Sequence, residues 1–101
     1  MKDNISIKEN INLCNYDYKR VHHLKILDQY YEDIESGLKT FEVRVNDRNY
    51  EVGDIIQFNV INDNKITLKQ PLTKYLITYV LNDINYVRPG YVVMSIIPLK
   101  E

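Results

Sequence analysis

After residue 20, only one stretch of this chain repeats its apolar residues at a helical interval, and the rest mostly alternates with a period of two between turn clusters. That contrast limits the fold to small, strand-rich architectures with a single helix. Val21–Leu27 reads as a strand with Leu24 and Ile26 on one face. His22 and His23 are adjacent, so they point to opposite faces. Asp28 then offers an N-cap oxygen to a helix running to about Ser36, with Glu32 and Asp33 near its N-terminal half. Tyr30, Tyr31, Ile34 and Leu38 make its apolar stripe, and Gly37 is placed to end it in the left-handed conformation.

In Lys39–Val45, Phe41, Val43 and Val45 fall on one face and Thr40, Glu42 and Arg44 on the other. Asn46-Asp47-Arg48-Asn49 and Val52-Gly53-Asp54 are turn signals. Ile55–Ile61 is a β-rich run, Lys65–Lys69 follows Asn62-Asp63-Asn64, and residues 73–81 set Tyr75, Ile77, Tyr79 and Leu81 against Leu76, Thr78 and Val80. Tyr91–Leu99 is the last strand, with Pro98 at an edge or frayed end. The fold class is therefore mainly β (α+β). It has five or six mostly antiparallel strands, one helix inserted after the first, and spacing that favours a small barrel.

A chain of 101 residues holds one domain. Residues 1–20 differ from the rest, with isolated Ile5, Ile7, Ile11 and Leu13 among Asn, Lys and Asp. They read as an N-terminal arm, partly ordered, ahead of a domain over 21–101. Cys14, the single cysteine, lies in that arm, so no internal disulfide forms and a reducing compartment is expected. There is no secretory leader and no apolar run of membrane length, which makes a cytoplasmic protein the expectation.

Net charge is −1, without the basic excess of a duplex-coating protein, so a nucleic-acid role has to rest on a local patch or a pocket. No Cys/His spacing suits a metal, and three widely spaced glycines make no phosphate loop. Neither metal nor cofactor is expected.

The densest polar group is Lys39, Thr40, Glu42 and Arg44, followed by Asn46, Asp47 and Arg48, with His23 and Lys25 on the first strand as further candidates. One reading makes this a wetted strand face whose ion pairs contribute about 0–1 kcal/mol. The other makes it the wall of a cleft. Arg44 and Arg48 bracket an Asn-Asp turn, and a guanidinium fork suits phosphate or a base edge. Nine tyrosines supply stacking faces, although those at strand positions suit a core or rim equally.

His23-Leu24-Lys25-Ile26, Tyr31, the run GxKTFExRxNDRxxxxGD over Gly37–Asp54, Ile77–Val80 and Gly90–Ser95 together resemble a bacterial and phage family, domain of unknown function 3850. The likeness covers about residues 22–97. That family falls in the ASCH group of the PUA-like superfamily, so the resemblance implies a PUA-like pseudo-barrel with a cleft between the helix and the Lys39-Thr40 strand. ASCH domains are generally proposed to bind RNA, which implies RNA or a nucleotide as partner. Arg44 and Arg48 would then sit on phosphate, Lys39 would add charge, and Glu42 or Asp47 would accept from a base amino group. One enzymatic branch of the group removes an acyl group from the exocyclic nitrogen of cytidine and carries a similar GxKTxTxR run. Its lysine matches Lys39 and its arginine Arg44, whereas Glu42 replaces its second threonine. In that alternative Lys39 is base or nucleophile and Glu42 shuttles protons. A third alternative is a protein-interaction module using a strand edge or the arm.

Overall fold

The computed structural model describes residues 20–99. The arm readings, including Cys14, lie outside the described residues. The elements are β1 (Val21–Leu27), α1 (Asp28–Glu35), β2 (Phe41–Val45), β3 (Ile55–Ile61), β4 (Thr67–Lys69), β5 (Lys74–Leu81) and β6 (Tyr91–Pro98). One six-stranded sheet has the order β1-β3-β5-β6-β2, with β4 added to β3. β1 and β3 are parallel, joined by a long connection that contains α1 and β2, and the other pairs are antiparallel. The sheet curls into a half-barrel, with β1 and β2 at its two ends and no ladder between them.

The core lies in the concavity under α1. Leu24, Ile26, Tyr31, Ile34, Ile56, Phe58, Val60, Tyr75, Ile77, Val92, Met94 and Ile96 form one buried cluster there with Tyr50. Phe58 meets Tyr31 and Tyr75 edge-on, with centroids 5.8 and 5.5 Å apart. The expected stripe on α1 is half right. Tyr31 and Ile34 are buried, but Tyr30 and Leu38 face solvent, because an eight-residue helix has room for one buried turn. The N-cap is Leu27, with no side-chain cap bond, so Asp28 is one residue too far on and serves as a first-turn acid facing the positive helix end. At the other end Gly37, at φ 86°, donates to Ile34 O while Leu38 donates to Asp33 O; these are the two bonds of a Schellman ending.

Two strands run against simple alternation. In β5 the register slips between Ile77 and Tyr79. Tyr75, Leu76 and Ile77 are all buried, whereas Tyr79 turns outward and Val80 inward. In β2 the polar face is the inner one: Glu42 is 3% exposed, while Phe41, Val43 and Val45 are 44%, 52% and 51% exposed. Pairing with β6 enforces this. Glu42 and Arg44 lie opposite Met94 and Val92, both fully buried, and directly paired residues share a face. Phe41, Val43 and Val45 lie opposite Ser95, Val93 and Tyr91 on the convex side.

Candidate functional site

The site is the seam where the half-barrel fails to close. Arg20 O accepts from Ile55 N, so the alternate carbonyls of β1, at His23 and Lys25, point away from β3. Thr40 O accepts from Ile96 N and Asn46 N donates to Gly90 O, so the backbone groups of Phe41, Val43 and Val45 likewise face away from β6. Side chains, not a ladder, bridge the two edges. Arg44 donates through Nη2 to Lys25 O at 2.9 Å, and Arg48 through Nη1 to His23 O at 3.2 Å. Lys39 Nζ donates to Phe41 O at 2.6 Å.

Behind these bridges sits Glu42. Its Oε2 accepts from Lys39 Nζ at 2.7 Å, and its Oε1 from Arg44 Nε at 2.8 Å with Nη2 at 2.7 Å. A carboxylate this buried needs such company, since an unpaired one would be strongly disfavoured. Lys39 also lies over the Phe41 ring, 4.8 Å from its centroid. Arg44 divides the seam into two hollows. One, of about 330 Å3, is bounded by Lys25, Tyr30, Lys39, Glu42 and Arg44. The other, of about 540 Å3, is bounded by His23, Lys25, Arg44, Asp47, Arg48 and Tyr91, with Tyr50 behind them. Both volumes fall in the range typical of small-molecule sites.

Of the residues singled out in the sequence, His23, Lys25, Lys39, Glu42, Arg44, Asp47 and Arg48 border these hollows. Thr40 does not; it lies at a separate recess with Gly37 and Tyr75. Asn46 also does not. Its Oδ1 accepts from Tyr50 N at 3.2 Å, which shapes the turn that presents Arg48. His22 turns to the other side of β1, as its neighbour's exposure requires. It is buried, with its ring edge-on to Tyr50 at 4.8 Å.

Sequence reasoning missed Asp54, which appeared only as a turn residue. It has no exposed surface, and its Oδ2 accepts from Arg20 at 2.7 Å, His22 Nε2 at 2.9 Å and Glu51 N at 3.0 Å. Burial pushes the carboxyl up, but the bonds from His22, Glu51 N–H and Arg20 together hold it below the ordinary aspartate value. Arg20 also donates to Arg48 O and Asn49 O, so this buried node fixes the loop that carries Arg48. Tyr50 is the other unrecognised member. Burial pushes its phenol up, against the pull of the Arg48 and Arg44 charges. The only signal for either was the Gly53-Asp54 pair following the Asn-Asp-Arg turn.

No group of His, Cys, Asp and Glu able to hold a metal occurs among the described residues, and no helix there is long and apolar enough to cross a membrane. Fold and seam together define a mostly β half-barrel domain with a cation-rich opening between its end strands. The family model for a domain of unknown function, DUF3850, matches residues 21–96, and the chain belongs to that family. No curated protein matches it.

Proposed function

We propose that the seam between β1 and β2 binds RNA or a nucleotide, in keeping with the ASCH-type, PUA-like character that the sequence resembles. The observation that carries this reading is a local charge excess in a concave place. Lys25, Lys39, Arg44 and Arg48 border the two hollows against Glu42 and Asp47, on a chain whose net charge is −1. Glu42 is already matched by Lys39 and Arg44, so it repels an incoming phosphate less than a free carboxylate would. The Lys25 ammonium has no hydrogen-bond or ion-pair partner among the described residues, and the Arg48 guanidinium donates only one bond, through Nη1, so both retain donors for an anion. The partly exposed ring of Tyr91 in the same hollow offers a base an apolar face.

The hydrolytic alternative asks more of Lys39. It would have to break its bonds to Phe41 O and Glu42 before it could take a proton or attack a carbonyl. A binding role needs only its charge.

Titration with nucleoside monophosphates and short single-stranded RNA at low salt, read by calorimetry, tests the proposal. Lys25→Ala and Arg48→Ala are each expected to weaken binding by about 1–3 kcal/mol, with affinity falling as salt rises. Absence of heat or shift with every ligand at low salt would dismiss the reading.

A further inference from the structure

β1 and β3 are parallel and in register, with His23 beside Gln57 and Lys25 beside Asn59, all four on the outer face. A third hollow, of about 510 Å3, opens over them, closed on its far side by Gln70, Pro71 and Leu72. It shares His23 and Lys25 with the seam hollow that holds Arg48, so the two meet across the width of a single strand. Their linings differ in chemistry. The seam is cationic, whereas the outer hollow gathers three side-chain amides, Gln57, Asn59 and Gln70, beside the apolar Pro71 and Leu72. Among the described residues, Asn59 Oδ1 is one of two buried side-chain oxygens that accept no hydrogen bond. A shielded acceptor left unmet costs about as much as a lost hydrogen bond, so such a group calls for a partner.

We infer that this outer hollow is a second subsite, taking the neighbouring nucleotide of a single-stranded RNA whose phosphate lies on Lys25 and Arg48. The inference rests on the reading of the seam given above and adds the class of ligand: an oligonucleotide rather than a mononucleotide. An amide offers an acceptor and a donor on one plane, which matches the donor beside an acceptor that the edge of any base presents. The terminal torsion of Asn59 is soft, so its oxygen turns into the hollow at little cost. Pro71 and Leu72 give the base an apolar surface to lie on.

Fluorescence anisotropy with labelled hexanucleotides of A, C and U, alongside calorimetry with AMP, tests this. The three oligomers are expected to bind at least about tenfold tighter than AMP. Gln57→Ala with Asn59→Leu should remove that advantage and leave AMP binding unchanged, while Arg48→Ala weakens both. Gln70→Ala, at an exposed position on the same hollow, should give a smaller loss of the same kind, which guards against misfolding of the double variant. Hexanucleotide binding that is unaffected in these variants, or no tighter than AMP binding, overturns the subsite and leaves the seam standing. If neither AMP nor any hexanucleotide binds wild type, the seam reading fails and takes the subsite with it.

Discussion

Replacing Glu42 with glutamine removes one charge and almost no volume, and its cost follows from the geometry. Each oxygen of Glu42 is taken by a cation at 2.7 Å, and the residue is 3% exposed. In the Glu42→Gln variant the amide keeps one acceptor but turns an NH2 group toward a second cation. Breaking a fully buried pair costs about 3–5 kcal/mol. The Lys39 and Arg44 side chains are 19% and 23% exposed, so water reaches both, and the expected loss is about 2–3 kcal/mol. For a domain of this size that is a drop of roughly 10–20 °C in Tm. Urea unfolding at neutral pH, with thermal melts followed by circular dichroism, measures it. In a Lys39→Met background the same substitution should cost less, since one of the stranded cations is already gone. A loss under about 0.5 kcal/mol, or an equal loss in both backgrounds, would refute the idea that the inward face of β2 is held by this triad.

Two further outcomes are expected. Because the folded carboxyl of Asp54 titrates below its unfolded value, its stabilisation is present above about pH 4 and is lost as pH falls through the folded value. Asp54→Asn should be less stable at neutral pH by about 2–4 kcal/mol and should lose that acid slope; urea midpoints at stepped pH would show it, and an unchanged slope would place the titration elsewhere. Gly37→Ala should cost about 1–2 kcal/mol through backbone strain alone, because φ is 86° and an added Cβ meets nothing within 4 Å. A melting temperature equal to wild type would show that the helix end has another way to close.

Short-range physics was legible before any coordinates. The helix after β1, its Gly37 ending, the strand over Val21–Leu27 with Leu24 and Ile26 inward, and Pro98 at the end of β6 all depend on residues a few positions apart. The side chains of Lys39, Glu42 and Arg44 were visible as a cluster for the same reason. The sequence could not say which way they faced. Alternation puts them on one side of a strand but does not choose the side, and the more apolar face of β2 turned out to be the outer one. That choice was made by Val92 and Met94, some fifty positions away, through the register of β6. The Asp54 node has the same origin, since Arg20 and His22 reach it only once β1 lies beside β3.

The sequence by itself therefore determined the elements, their order and the polar cluster, since each is set by backbone preferences and side-chain spacing within one turn or strand. The tertiary structure alone decided that β2 is turned polar side in, that Thr40 and Asn46 stand apart from the hollows, and that arginine side chains span an unclosed barrel. All three depend on cross-strand register, which couples residues far apart in the chain and leaves no trace in the local pattern of any one strand.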